Sequence, residues 1–452
     1  MTLQVDTVEP PSEERLVGAD ELFFSTTDRR GVIRAGNSIF VKIADYSVEE
    51  LIGAPHSIIR HPDMPAAAFK AMWDRLHSGR PMAAYVQNLT KDGKYYWVFA
   101  TITPLGDGFL SVRMAPMVSA LMTPARQLYK DLRSAERAAR ANGMSRSEAA
   151  ALGEQELERR IRGLGLDSYD HFMMEALPAE VAARAGMTTV RYARRPGHGP
   201  VAEILASAAA LDGQLGTLVA RLDSYRQLSE AVASSSKSVL VAGEQLEQAA
   251  SAARQGSAAI ADQVKVLDNV AQVMVGPAHD TVDTLRGVVT ELDSLRNLVA
   301  GLRFRIALAR LHNDMVAAFA SEVIDGIAPS SSLAEVPLLC DALHEGVEHM
   351  SATMALVNAK LASVSEAVTR AGGQFNDFRR FIGKWRLMVL RHRVGGQLAS
   401  YIEPIDQMLS DGHDQLYQLY TLAERLRAEV FPFEGPALDA QLARIRRAVV
   451  DL

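Results

Sequence analysis

Hydrophobic and polar positions follow two different patterns along this chain. Between about residues 18 and 118, short apolar or alternating runs are separated by Gly, Pro, Asn and Asp, which is typical of short strands and helices joined by tight turns. From residue 201 onward, apolar residues recur every seven positions over long distances. That period predicts long helices packed along their length. We therefore predict an α+β domain followed by an all-α part, a long antiparallel helical bundle of the coiled-coil kind.

The first pattern resolves into an ordered set of short elements. LFFSTTD and VIRA predict two strands joined by a turn at 28–31. Helices are predicted after Asn37, in SVEELIG, where Ser47 and Glu50 form a capping box, and in AAAFKAMWDRLHSG. AAYVQNLT, YYWVFATITPL and GFLSVRMAPM predict a three-strand meander with a turn at 91–94. Two strands, small helices, one longer helix and a meander are the element order of a PAS fold, which we place at residues 18–118.

Several longer segments of this domain carry a more specific similarity. STTD, ADYSVEELIGAPHSIIRHPDMPAAAFKAMW and NLTKDGKYYWVFATITPL closely resemble the PAS domain of the bacterial aerotaxis receptor family. The resemblance covers about a fifth of the chain and implies a noncovalently bound FAD that reports redox state. It assigns flavin-site roles to seven residues: Asn37, Arg60, His61, Asp63, Phe69, Trp73 and Asn88. The chain departs from the family at Met82, where the family often has a flavin-contacting tryptophan.

The chemistry of these residue types is compatible with a flavin. Phe69 and Trp73 lie one helical turn apart and share a face that can wall a planar ring. Asn37 and Asn88 each offer a donor and an acceptor, and the guanidinium of Arg60 can pair with a pyrophosphate.

Three other interpretations of the same residues remain open at this point. The aromatic residues can be ordinary core, and His61 can cap the helix that follows it. The PAS domain can be a ligand-free scaffold that organises partners. A haem can occupy it instead, with His61 as the axial ligand.

The rest of the chain divides at changes of composition. Residues 1–17 are predicted to be a disordered lead, 119–192 a helical connector with a capping box at Ser145 and Glu148, and 193–200 a Pro/Gly/Arg linker. Residues 201–372 are predicted to form a long helical hairpin, and 373–452 the C-terminal helices.

The hairpin prediction depends on the seven-residue stripe. Ten successive members share this spacing: Leu211, Leu218, Tyr225, Val232, Val239, Leu246, Ala253, Ile260, Leu267 and Met274. We predict one long helix interrupted at Gly276-Pro277, a chain reversal at 325–332 and a return helix through Val347–Val368. A homodimer would then complete a four-helix bundle. In architecture alone this resembles the cytoplasmic hairpin of chemoreceptors, which makes a chemotaxis-type signalling partner a hypothesis.

Composition and charge exclude several classes of function. The net charge of −6 gives no reason to expect nucleic acid as a partner, and the single cysteine, Cys340, excludes an intrachain disulfide. The chain shows neither a signal-peptide pattern nor 18 uninterrupted apolar residues, so we expect a soluble cytoplasmic protein. No catalytic motif stands out, and His312, His344 and His349 do not form an obvious metal set, so we expect no enzyme activity.

One segment of the C-terminal part is strongly basic. Residues 379–393 hold six Lys/Arg and no acids. They predict either a weak contact with a membrane surface or a bundle helix whose Phe381, Trp385, Met388 and Val389 pack inward while the cations stay in water. Overall, the sequence predicts a flavin-based redox or oxygen-linked sensor that relays the state of its PAS domain through a helical bundle, in aerotaxis-like signalling.

Overall fold

The structure is a computed structural model, and it describes residues 13–187 and 199–452. Most of the predicted lead and of the predicted linker therefore falls outside the described residues. The last part of the lead is not disordered, which corrects that prediction. The backbone N–H of Arg15 donates to the carbonyl oxygen of Tyr95 at 2.7 Å, and the N–H of Tyr95 donates to Glu13 at 3.1 Å. These bonds tie residues 13–15 to a strand of the sheet.

Five antiparallel strands form a single sheet in the N-terminal part. Their bounds are β1 (Leu22–Asp28), β2 (Ile33–Gly36), β3 (Met82–Leu89), β4 (Tyr95–Leu105) and β5 (Gly108–Met114). The spatial order is β2-β1-β5-β4-β3. The first and last strands in sequence thus lie side by side, with Ser25 opposite Ser111 in the register. The predicted PAS fold is confirmed.

Local sequence signals explain the short helices between β2 and β3. They are α1 (Ser38–Ala44), α2 (Val48–Leu51), a 3₁₀ turn (His56–Ile59) and α3 (Ala66–His77). Asn37 caps α1, because its side chain accepts a hydrogen bond from the N–H of Phe40. Ser47 and Glu50 form the predicted capping box of α2. The longest of the four, α3, begins directly after Pro65, which offers no side-chain cap.

The remainder of the described chain is helical. The helices are α4 (Ser119–Ala141), α5 (Arg146–Gly163), α6 (Tyr169–Ala185), α7 (Pro200–Ala259), α8 (Lys265–Ile324), α9 (Val336–Arg391), α10 (Gly395–Ala428) and α11 (Gly435–Val450). No helix in the described ranges combines the length and hydropathy needed to cross a membrane.

The described residues divide into two compact units. The first contains the sheet, α1–α6, the described residues up to Leu218, Arg303–Met350 and Glu434–Leu452. The second contains Val219–Leu302 and Ser351–Phe433. The PAS domain is thus part of a larger helical unit.

Within the first unit, the sheet is covered on both faces. The inner face packs on α1 and α2 through a core that includes Phe23, Phe40, Leu51 and Tyr96. The outer face packs on helices, since Phe24 meets Phe319 of α8 edge to face with ring centroids 5.4 Å apart. This explains why every residue of β5 is buried, although antiparallel sheets often leave one face in water.

The second unit is a bundle of helical segments from one chain. The apolar residues that recur every seven positions are buried wherever their side chains are described, as the pattern predicts. Side chains link the segments pairwise. Arg286 of α8 donates to Glu244 of α7 at 2.9 Å, and the indole N–H of Trp385 in α9 donates to Ser257 of α7 at 3.0 Å. Tyr225 of α7 also donates to the backbone carbonyl of Glu429, just after α10.

The order of helices and reversals differs from the prediction in three ways. The predicted first arm is two helices, because the chain reverses between Ala259 and Lys265. The predicted interruption at Gly276-Pro277 does not break the helix, since α8 continues through Pro277. Four helical segments, from α7 to α10, come from the same chain, so a second chain is not required to make four. The reversal at 325–332 is confirmed between α8 and α9.

The basic segment 379–393 packs as a bundle helix. Trp385 and Val389 are buried, and Phe381 is half-buried. Arg380, Lys384 and Arg391 remain exposed. The inward-packing interpretation describes this arrangement, and contact with a membrane surface stays a prediction.

We expect the Leu285→Ala variant to lower the free energy of unfolding by about 2–5 kcal/mol, because the side chain is fully buried and its removal leaves a cavity. Urea unfolding followed by circular dichroism measures the change. The matched control is Leu387→Ala, at a leucine that is 68% exposed, and we expect a change of less than about 0.5 kcal/mol. Equal losses in the two variants would contradict the packing described here.

Candidate functional site

A cavity of about 310 Å³ lies between α3 and the inner face of the sheet. Its volume is near the lower end of the range typical of ligand pockets. Eighteen residues line it: Thr27, Arg30, Gly31, Pro55, His56, Ser57, Arg60, Phe69, Met72, Trp73, Leu76, Val86, Asn88, Ala100, Ile102, Phe109, Ser111 and Arg113.

One wall of the cavity is apolar and comes mainly from α3. Phe69, Met72, Trp73 and Leu76 follow one another at helical spacing and share the face that points to the sheet. Trp73 meets Phe109 of β5 edge to face, with ring centroids 5.5 Å apart. These side chains give the cavity an apolar wall with aromatic rings, which suits a planar ligand.

Gly31 allows the Trp73 ring to approach the turn after β1. Its φ is +79°, a conformation that side chains other than glycine rarely adopt. A Cβ atom at this position would lie 3.2 Å from the Trp73 ring. The glycine is therefore needed both for the turn and for the position of the tryptophan.

The opposite wall contains a buried arginine. Arg113 of β5 donates to the hydroxyl of Ser25 at 2.7 Å, and its Nη1 lies 3.2 Å from Nε2 of His56. Its guanidinium also lies over the ring of Phe40, 4.4 Å from the centroid. The Nε atom of Arg113 is buried and has no hydrogen-bond partner. Among the described residues, no carboxylate pairs with this cation.

Burial sets the protonation of this wall. It lowers the pKa of Arg113 to about 10, so the guanidinium stays charged at neutral pH. Burial, and then the positive charge of Arg113, lowers the pKa of His56 to about 3. His56 is therefore neutral and can accept a hydrogen bond from the arginine.

A second arginine lies at the α3 side. The guanidinium of Arg60 lies over the ring of Phe69, 3.6 Å from the centroid. Its backbone pairs with that of Asn88 in an isolated antiparallel bridge, which places both residues at one end of the cavity. The lining contains three arginines and no aspartate or glutamate. Such a cavity favours a ligand with anionic or electron-rich groups.

Four of the seven residues assigned from the family resemblance meet at this cavity. Arg60, Phe69, Trp73 and Asn88 all line it. The other three, Asn37, His61 and Asp63, do not line it. Met82, where the family often has tryptophan, is buried at the start of β3 and is also absent from the lining.

Those three residues support the backbone around the site. The side chain of Asn37 is fully engaged, since it bonds the N–H of Phe24 and donates to the carbonyl of Leu22 at 2.8 Å. Nδ1 of His61 accepts from the N–H of Asp63 at 3.1 Å. The carboxylate of Asp63 pairs with Arg137 of α4 at 2.5 Å. Their assignment as flavin contacts gains no support from these positions.

Sequence reasoning missed the polar wall formed by His56, Ser111 and Arg113. A signal was present in GFLSVRM, because strand alternation places Phe109, Ser111 and Arg113 on one face. A charged residue on the inner face of an otherwise apolar strand indicates a polar cavity. His56 gave no comparable signal, because it lies in an irregular segment.

The helices after the sheet hold α3 in place through a buried carboxylate. Glu136 of α4 accepts hydrogen bonds from the N–H groups of Ala66 and Ala67 at 2.9 and 2.8 Å. It caps the N-terminus of α3 and supplies what Pro65 cannot. On the same side, Gly153 of α5 allows close packing, since a Cβ there would lie 2.9 Å from that of Ala67. The helix that walls the cavity is thus fixed from its far side by α4 and α5.

A second buried carboxylate links the sheet to α6. Glu180 accepts from the hydroxyl of Tyr85 and from the N–H of Met117, both at 2.5 Å. Burial raises the pKa of Glu180, and these hydrogen bonds oppose that shift. Tyr85 lies on β3, and Met117 directly precedes α4. Glu180 therefore joins the outer face of the sheet to the start of the connector.

The residues present fit a flavin better than a haem. A histidine-ligated haem, the alternative considered above, needs an unengaged imidazole nitrogen in the cavity. Nε2 of His56 is engaged by Arg113, and His61 lies outside the lining. A flavin needs a flat apolar wall, amide contacts and compensation for its phosphates, which α3, Asn88 and Arg60 offer. No cluster of three or more metal-binding side chains occurs within the described residues.

Comparison with known proteins agrees with the fold and with the resemblance. Residues 35–109 match the family described as PAS fold. Over 99 residues the chain is 41% identical to the aerotaxis receptor of Escherichia coli (strain K12), an alignment that covers 21% of this chain and 20% of the receptor. The chain thus spans about a fifth of the length of this curated relative. Its N-terminal part is a PAS domain similar to that of the aerotaxis receptor.

Solved structures similar to the chain include the light state of the blue-light photoreceptor Aureochrome1 LOV, at 14% identity and a TM-score of 0.21. That match covers 23% of this chain and 88% of the other. The LOV protein of Rhodobacter sphaeroides matches at 15% identity and a TM-score of 0.21, over 32% of this chain and 89% of the other.

The neutral His56 predicts a pH dependence of stability. Its pKa is lowered in the folded state, so between pH 6.5 and about 3 the unfolded chain binds more protons at this residue. The contribution of this residue to the free energy of unfolding is therefore complete above pH 6.5 and is lost as the pH falls towards 3. We expect the His56→Gln variant to lose about 1–3 kcal/mol less unfolding free energy than the unmodified protein between pH 7 and pH 4. The difference is smaller than the full pKa shift implies, because the ring is only half-buried.

Urea unfolding at several pH values measures this difference. The control is His392→Gln, at an exposed histidine just after α9, and it should keep the slope of the unmodified protein. A slope that His56→Gln leaves unchanged would show that His56 is not neutral in the fold.

Proposed function

We propose that this protein is a flavin-based redox or oxygen-linked sensor that binds FAD in its PAS domain and relays the state of that domain to its helices. The observation that carries the proposal is the cavity itself, which has an aromatic wall on α3 and three arginines without any acid in its lining. The match of residues 35–109 to the PAS fold and the 41% identity to the aerotaxis receptor over 99 residues support the same function. Bound flavin supplies reversible uptake of electrons, and the protein supplies binding and electrostatics.

Individual residues would divide the work of binding. Trp73 and Phe69 on α3 would pack against one face of the ring, and Asn88 would offer an amide to its polar edge. The cavity is too small for a whole dinucleotide, so the phosphates would extend past its mouth. Arg60, which is only partly buried, is available there to pair with them.

The relay would begin at α3. This helix presents one face to the cavity and is capped by Glu136 of α4 on the other side. A displacement of α3 changes the length of these two hydrogen bonds, and α4 has to follow or release them. The signal would then pass to α4–α6 and onward to the long helices, and homodimerisation and a chemotaxis-type partner are further parts of this proposal.

We expect the purified protein to be yellow, with a visible flavin band that bleaches on reduction, and mass spectrometry of the released ligand to identify FAD. Colourless protein that does not take up added FAD would rule out the proposed function and leave the ligand-free scaffold as the better alternative.

The Trp73→Leu variant should bind FAD about tenfold more weakly than the unmodified protein, because it removes an aromatic ring from the cavity wall. Titration of FAD onto the apoprotein, normalised to folded protein, measures this. The control is Trp97→Leu, since Trp97 packs on Tyr129 and does not line the cavity. Equal weakening in both variants would argue against the proposed position of the ring.

We expect the Glu136→Gln variant to uncouple α3 from α4 while FAD remains bound. Loss of a charged cap costs about 0.5–2 kcal/mol, so amide exchange in the first turn of α3 should accelerate up to about thirtyfold. In the unmodified protein, reduction of the bound FAD should change amide exchange in α4. This change should be smaller in the Glu136→Gln variant.

Hydrogen exchange with mass spectrometry measures both effects. The control is Glu158→Gln, at a carboxylate of α5 whose ion pair with Arg162 is long, at 3.9 Å. If reduction changes α4 equally in Glu136→Gln and the unmodified protein, the relay does not run through this cap.

A further inference from the structure

The guanidinium of Arg113 is in an unusual position for a purely structural arginine. It is 2% exposed and lies in the wall of the cavity. Its neighbours are a hydroxyl from Ser25, a neutral imidazole from His56 and the rings of Phe40 and Phe23. None of these groups carries a negative charge. Its Nε atom is buried without a partner.

Such an arrangement is costly for the protein alone. A buried cation is normally paired with an anion, because its desolvation is offset only by close opposite charge and by hydrogen bonds. Here the hydrogen bonds are partly present and the opposite charge is absent. The aromatic rings contribute a smaller electrostatic stabilisation. The cavity beside Arg113 offers a place where a negative charge can be added.

We propose that Arg113 is the residue that sets the redox preference of the cavity, by stabilising the negative charge that a flavin gains on reduction. This inference rests on the proposed function. An oxidised flavin ring is neutral, and addition of two electrons and one proton leaves it with one net negative charge. In the test below, dithionite supplies the electrons and water supplies the proton. A fixed cation in a site of low dielectric favours the charged product over the neutral reactant.

The other ionisable groups around Arg113 do not oppose this effect. His56 is neutral, as shown above, and burial raises the pKa of Tyr96 so that its phenol stays protonated. The other two charged side chains of the lining, Arg30 and Arg60, are cations as well. The electrostatic balance of the site therefore favours an anionic ligand.

The experiment compares the binding of oxidised and reduced FAD to the full chain. In the Arg113→Gln variant, the side chain still donates hydrogen bonds but has no charge. We expect the ratio of affinities for reduced and oxidised FAD to fall at least tenfold, which corresponds to a reduction potential about 30 mV lower for a two-electron couple. The Arg113→Lys variant keeps the charge and should stay within about threefold of the unmodified ratio.

The matched control is Arg126→Gln. Arg126 also lies over an aromatic ring, with its guanidinium 4.8 Å from the centroid of Trp97, but it pairs with Glu14 and does not line the cavity. In the Arg126→Gln variant, the ratio of affinities for reduced and oxidised FAD should equal that of the unmodified protein.

A second measurement uses the unmodified protein alone and therefore does not depend on folding of the variants. With one proton taken up per two electrons, the potential falls by about 30 mV per pH unit, and with two protons by about 59 mV. We expect the one-proton slope to extend into mildly acidic solution, where His56 is still neutral. A two-proton slope there would overturn the inference.

The outcomes also separate this inference from the proposed function. Uptake of FAD with an unchanged affinity ratio in Arg113→Gln would overturn the role of Arg113 and leave the flavin sensor intact. A failure of the unmodified protein to bind FAD in either redox state would overturn both. A ratio that falls equally in Arg113→Lys and Arg113→Gln would show that shape and not charge is responsible.

Discussion

The burial of the sheet on both faces is the constraint on which the rest of the structure depends. Side chains of a strand point alternately to the two faces. Ser111 and Arg113 therefore face the cavity, while Val112 between them is buried on the outer face. Close-packed interiors do not absorb displacements freely, so a strand that moves on one side has to be accommodated on the other. The sheet is thus the shortest physical connection between the cavity and the helices that cover its outer face.

The buried charge of Arg113 becomes understandable within this arrangement. A buried arginine is weak evidence for stability, because an apolar side chain of similar volume is often at least as stabilising. The fold nevertheless builds a partial cage for it from two strands and the 3₁₀ turn, through Ser25 and His56. This cage satisfies some donors of the guanidinium and leaves one buried nitrogen without a partner. A binding site requires such an unpaired donor, whereas a protein core does not. The cost to stability is therefore best explained if this cavity binds the proposed ligand.

The sequence was most informative where local chemistry decides the structure. The caps at Asn37 and Ser47 and the strands of the meander could be predicted because their signals lie within a few residues of each other. The polar wall was harder, because His56, Ser25 and Arg113 lie far apart in sequence and meet only after the strands pair. Likewise, Glu136 caps a helix that begins 70 residues earlier, and no local sequence pattern predicts such a cap.

The helical bundle shows a different limit of sequence reasoning. A seven-residue stripe reports which side of a helix is buried, but not whether the chain continues straight or turns back. The turn between Ala259 and Lys265 keeps the stripe in phase, since Ile260, Val264 and Leu267 are all buried, and the reversal was therefore invisible in the pattern. Its consequence is physical. An open pair of helices would need a second chain to complete a four-helix bundle, but α7 to α10 of one chain already supply four segments with buried apolar residues. Among the described residues, the open pair of helices that a second chain would have to cover is therefore absent.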